Sequence, residues 1–115
     1  MSTEKALIVR QPWIDKILSG EKIWEMRSQR TLVRGRIGLI AQGTGLIVGE
    51  CELTHSGMPL DKLEAECFYC FHRVENLSLL EKWRHPWHLE NVKRYENPIP
   101  YSHPKGAVTW VRIAH

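Results

Sequence analysis

The chain has 115 residues, of which 43% are hydrophobic and 25% charged. That is enough apolar material for the core of one compact domain spanning 1–115, and too balanced a composition for wholesale disorder. The net charge of +3 is mildly basic and names no partner by itself, and no apolar run approaches the roughly 20 residues of a membrane-spanning helix.

The opening stretch "MSTEKALIVRQPW" carries an acid early and only four apolar residues in succession, unlike a secretory signal. Within it, "ALIVR" (Ala6–Arg10) predicts a short buried strand. Pro12 suits the first turn of a helix, Trp13, Ile14, Ile17 and Leu18 form a one-sided apolar stripe, and Gly20 is placed as the C-terminal cap. Residues 22–28 read as a strand. "RGRIGLIAQG" and "GLIVGECELTHSG" are two further strand-rich runs, in which Gly35, Gly38 and Gly49 permit bends or close backbone approach. "PLDKLEAECFYCF", from Pro59, reads as one helix with Asp61 near its start, and "NLSLLEKW" as a shorter one. "HLENVKRYENPIP" reads as a strand ending at Pro98, and "GAVTWVRIA" as an alternating closing strand. The order β-α-β-β-β-α-α-β-β points to an α+β, strand-dominated fold. A curled barrel with short peripheral helices fits it better than a doubly wound sheet, which needs a longer helix between most strands.

Charge is distributed unevenly. No acid lies between Met26 and Gly49, a window that holds Arg27, Arg30, Arg34 and Arg36 and can form a basic surface for phosphate. Just before it, "SGEKIWEMRS" packs Lys22, Glu25 and Arg27 into six residues. In a regular strand Glu25 and Arg27 share a face and Lys22 has the opposite parity, so the three meet only if Lys22 precedes the strand or a bulge intervenes. Such a trio has the chemistry to read a nucleobase: Arg and Lys donate to carbonyls, ring nitrogens or phosphate, and Glu accepts from an exocyclic amine. Gln11 offers both donor and acceptor, and Trp13 a stacking face. The competing reading is a surface ion pair with a neighbour, Trp13, Trp24 and Trp110 being core.

These motifs, "LIVRQPWIDKILSGEKIWEMRS" followed by "RGRIGLIA", resemble the ASCH domain, named for activating signal cointegrator homology. The family pattern appears as Gln11-Pro12-Trp13, then Gly20, Lys22, Glu25 and Arg27, then Arg34-Gly35. "VGECEL", "WHLENV", "NPIPY" and "GAVTWV" look like its later strands. The resemblance implies a barrel related to the PUA fold and nucleic-acid binding, chiefly of RNA, in a cleft beside the barrel. The site it implies comprises Gln11, Trp13, Lys22, Glu25, Arg27, Arg34 and Asn91, with Asn91 of "RHPWHLEN" able to bond a base edge. The expected partner is single-stranded or modified RNA. No cofactor, metal or membrane is expected, and a cytoplasmic monomer is favoured.

A few small members of that family look like hydrolases, acting as amidohydrolases on acetylated cytidine or as ribonucleases. On that alternative Lys22 would hold a carbonyl oxygen or act as general acid and Glu25 would activate water. The deacetylating members look to carry a Thr where this chain has Glu25.

Cys67 and Cys70 form C-x-x-C, with His72, His85 and His88 downstream, which resembles a zinc-ligand list. The histidine spacing is short for a zinc finger, and "ECFYCF" reads as an amphipathic helix whose two cysteines share an apolar face. The expectation is therefore reduced core thiols, Cys51 being a core residue of a strand. Three cysteines, an odd number, suit a reducing cytoplasm rather than a disulfide framework.

Overall fold

The computed structural model describes residues 4–113. In chain order it holds β1 (Lys5–Val9), α1 (Trp13–Ser19), β2 (Trp24–Arg27), β3 (Gly35–Ala41) and β4 (Leu46–Ser56). There follow α2 (Lys62–Cys67), α3 (Tyr69–His72), a 3₁₀ turn (Leu77–Glu81), β5 (His85–Pro100) and β6 (Trp110–Arg112). All six strands join one curled sheet in the order β2-β5-β4-β3-β1-β6. This is the strand-dominated α+β class expected, shaped as a half-barrel whose edges are β2 and β6.

β1 lies inside the sheet, parallel to β3 and antiparallel to β6. Its Ala6-Leu7-Ile8-Val9 run is buried throughout, as a strand covered on both faces requires. A parallel neighbour needs a long crossover, and α1, β2 and the following loop supply it. α1 buries Ile14 and Ile17 and ends at Gly20, whose φ of 89° is the left-handed conformation of a helix cap; its N–H donates to Ile17 O at 3.1 Å. α1 seats closely on the sheet because position 49 is glycine: a Cβ there would lie 2.8 Å from Leu18 Cδ2 and 2.6 Å from Lys93 O. The main core joins Leu7, Val9, Ile37, Leu39, Leu53 and Leu89 with α1. Another cluster, of Met26, Leu60, Ala65, Val74 and Leu80, lies under α2 and the 3₁₀ turn. Trp24 and Trp110 are half-buried against these clusters, and Cys51 is fully buried.

Four local expectations are revised. The strand expected over 22–28 is confined to Trp24–Arg27, so Lys22 precedes it; the Lys22 N–H is taken by Lys16 O. The helix expected from Pro59 starts with a full capping box between Asp61 and Glu64, but breaks at Phe68 (φ −98°, ψ 22°). Phe68 and Phe71 both pack on Trp24, with ring centroids 5.4 and 4.9 Å away, and this inward pull leaves Cys67 and Cys70 exposed rather than in the core. The strand expected to end at Pro98 runs from His85 to Pro100. Pro98 is tolerated because pairing with β4 jumps from Arg94 to Ile99. The closing strand shrinks to Trp110–Arg112 after a turn at Gly106; Ala114, its expected last residue, lies outside the described residues.

Candidate nucleic-acid interface

β2 places Glu25 and Arg27 on one face, as their spacing requires, and both point toward the gap between β2 and β1. Arg27 Nη2 and Nε donate to Glu25 Oε2 at 2.7 and 3.0 Å. Arg27 Nη2 also donates to Ile8 O at 2.7 Å. The N–H of Ile8 already pairs with Thr109 O, so Arg27 satisfies a β1 carbonyl where β6 no longer reaches and ties the edge strand β2 to β1. The guanidinium also stacks on the buried Trp87, 5.6 Å from its ring centroid.

Lys22 reaches the same place from outside the strand. Its side chain is wholly buried, Nζ lies 3.7 Å from Glu25 Oε1, and it donates to His72 O at 2.5 Å. Burial lowers its pKa from the ordinary 10.5 to about 8, against the opposing attraction of Glu25. His72 is fixed by the backbone on both sides: the Val74 N–H donates to Nδ1 at 2.9 Å, so Nε2 carries the proton and donates to Ala65 O at 2.7 Å. Burial and the nearby Lys22 cation both depress the His72 pKa, keeping the ring neutral. His72 thus positions Lys22 through its carbonyl and has no ring nitrogen left for a metal.

Above this floor opens a cleft of about 150 Å³. Its polar lining consists of Arg10, Gln42, Lys22, Glu25 and Arg27, three cations to one anion, and Trp13 and Trp83 form an aromatic wall. Ile8, Met26, Val74 and Val108 complete it. An enclosed apolar cavity of about 150 Å³ holds one benzene-sized ring, so the cleft has room for a single flat heterocycle. Its floor is formed by the Lys22 ammonium, the Arg27 guanidinium and the Glu25 carboxylate.

Of the seven residues expected at the site, Trp13, Lys22, Glu25 and Arg27 converge here. Gln11 does not: it is exposed in the turn into α1 and does not line the cleft. Arg34 is exposed, and its Nη1 closes its own loop through Thr31 O and Val33 O at 2.8 and 2.7 Å. Asn91 lies in a separate depression with Leu18, Gly20, Ile23 and Glu90. Its φ of 51° reflects the β5 irregularity opposite β4, and its carbonyl accepts from Arg36 Nη1 at 2.9 Å. The arginine window is therefore dispersed, with Arg27 in the cleft and Arg36 spent on Glu50 and Glu52 of the sheet.

Sequence reasoning missed Arg10, Gln42 and Trp83. The first two carried a usable signal: they immediately follow β1 and β3, the parallel pair, and carboxyl ends of parallel strands are where ligand sites gather. Trp83 carried none. Among the described residues no three His, Cys, Asp or Glu side chains are grouped to hold a metal ion. His88 instead stacks on Trp24 and meets His55 edge-on.

The family model for the ASCH domain matches residues 7–99. The crystal structure of an ASCH protein from Zymomonas mobilis superposes with a TM-score of 0.74 at 13% identity, covering 97% of this chain and 88% of that one. Crystal structures of two mutants of the same Zymomonas mobilis protein superpose with TM-scores of 0.70, also at 13% identity, covering 97% of this chain and 91% and 89% of theirs. At that identity the likeness is one of fold. No curated protein matches the chain.

Proposed function

The chain belongs to the ASCH domain family, and from that membership and the shape of its cleft we propose that it binds single-stranded or modified RNA by seating one base between the Trp13–Trp83 wall and the Lys22–Glu25–Arg27 floor. Membership supports nucleic-acid binding at the level of the family. The observation that carries the finer reading is the floor itself. A lysine and a glutamate that are 1% and 5% exposed border an opening of ring size, with more positive than negative charge around it. Buried charge is costly unless paired and hydrogen-bonded. Here Arg27 holds Oε2 of Glu25, while Oε1 lies 3.7 Å from the Lys22 ammonium, and a ligand with matched acceptor and donor edges would engage these two groups by displacing that longer contact.

The same floor supports a second reading, a small hydrolase of RNA or modified nucleosides. What favours it is Lys22, whose pKa of about 8 brings acid–base exchange near neutrality. Glu25 would be the group that activates water, through Oε1, since Oε2 is engaged by Arg27.

A panel of ribonucleosides, N-acylated nucleosides and RNA hexamers, read for both binding and turnover, tests the two together. Binding that weakens about tenfold or more in Trp13→Ala and Lys22→Met, on the scale of base–aromatic stacking and charged hydrogen bonds, is the expected result. RNA binding left intact by both substitutions would place the nucleic acid elsewhere. Product formation that follows a pH profile near 8 and disappears in Lys22→Met would favour the hydrolase.

A further inference from the structure

Arg10 stands apart from the other arginines. Arg27, Arg34, Arg36, Arg73 and Arg84 all spend guanidinium donors on carboxylates or backbone carbonyls. Arg10 makes no side-chain hydrogen bond or ion pair among the described residues. It is held instead by two aromatic faces, with Cζ 5.1 Å from the Trp13 ring centroid and 5.0 Å from that of Trp83. The two indoles meet edge to face at 84° and form a corner in which the guanidinium sits. Cation–π contact restrains the group through its faces and leaves the N–H donors along its edges unused. Arg30, Arg94 and Arg112 are also exposed, but none of them lines the cleft. An arginine restrained at the mouth of a ring-sized cleft, with its planar fork unspent, is prepared for a planar or tetrahedral oxyanion.

We propose that Arg10 is the anion receptor of the cleft and binds the phosphate attached to the nucleoside whose base is seated below. The assignment rests on the reading of the cleft as a base site and adds the ligand class, a nucleotide rather than a free base or nucleoside. The phosphate has two possible sources, a mononucleotide or the backbone of an RNA chain.

The test compares the four ribonucleosides with their 5′- and 3′-monophosphates and with RNA hexamers, against wild type, Arg10→Gln and Arg10→Lys, by titration calorimetry at fixed ionic strength. In wild type the phosphate should tighten binding about tenfold, the scale of one charge-assisted hydrogen-bonded pair. Arg10→Gln should bring each phosphorylated ligand down to the affinity of its parent nucleoside. Arg10→Lys, which keeps the charge and loses the fork, should recover only part of the gain. A gain seen with monophosphates assigns Arg10 to any nucleotide, and one confined to the hexamers assigns it to a chain phosphate. Nucleosides that bind wild type with no phosphate gain, or a gain that persists in Arg10→Gln, would overturn the assignment while leaving the base site standing. If no nucleoside, nucleotide or hexamer binds, the base site falls and the assignment falls with it. Thermal melting of both variants confirms that the fold is kept.

Discussion

The Glu25–Arg27 pair and the Glu50–Arg36 pair use the same two side-chain types, and the difference between them lies in what surrounds each. Arg36 Nε bonds Glu50, with Glu52 3.8 Å from Nη1 and the Tyr95 hydroxyl donating to Glu50 Oε1 at 3.2 Å. Within 4 Å that cluster has two acids to one base, with Lys93 facing Glu50 from the neighbouring strand, and its Glu52 is 42% exposed. Its hydrogen bond from Arg36 holds the Glu50 carboxyl below the usual range. Around Glu25 the balance is reversed, two bases to one acid, and Lys22 has no solvent contact. Water settles the imbalance at Glu52. At Lys22, whose side chain is fully buried, the surplus charge borders a cleft that has an aromatic wall. The outer cluster is part of the sheet's architecture; the inner one borders the ring-sized cleft on which the proposed base site rests.

The sharpest way to break this comparison is Glu25→Gln. It leaves Lys22 and Arg27 beside each other without an anion, and removing one member of a buried pair costs about 3–5 kcal/mol. Urea melts at pH 7 measure it; a loss below about 1 kcal/mol would mean that the two clusters are alike, both hydrated.

Lys22→Met tests the burial through pH. In the unfolded chain Lys22 holds its proton up to the ordinary 10.5, in the folded protein only to about 8. Between those values the unfolded state binds more protons, so this group makes stability rise as pH rises through the window, by about 3 kcal/mol at 1.36 kcal/mol per unit. Cys51 acts in the opposite sense from pH 9 upward, because burial pushes its thiol up to about 12. The useful quantity is therefore the difference between wild type and Lys22→Met, which should climb between pH 8 and 10. A flat difference would show that Lys22 titrates as an exposed amine.

The smallest effect is expected at the outer cluster. Arg36→Ala should cost about 1 kcal/mol, in the range of a partly exposed pair, and the cost should shrink in high salt. A salt-insensitive loss as large as that of Glu25→Gln would erase the distinction between the clusters.

Much of this was legible before any coordinates. Strand and helix periods placed the six strands, α1 and the start of α2, and Gly20 and Asp61 marked two helix ends. The trio was legible as well, with the geometric condition it had to meet: Lys22 joins Glu25 and Arg27 only from outside the strand, and there it stands. What misled was assigning "ECFYCF" to one amphipathic helix. The apolar count was right, but Trp24, some forty residues earlier in the chain, decides which side chains turn inward.

By itself, then, the sequence determined the element order, the strand-dominated class and which residue types were available for a site, because backbone hydrogen bonding and side-chain period are set within a few residues of each position. Only the tertiary structure decided that Arg10, Trp13, Gln42, Trp83 and Val108 would wall one cleft, that His72 would hold Lys22 through its carbonyl, and that Gln11, Arg34 and Asn91 would face elsewhere. Those placements depend on sheet register and on the curl that brings β2 back to β1. Both are set by packing among segments far apart in the chain, which no local window contains.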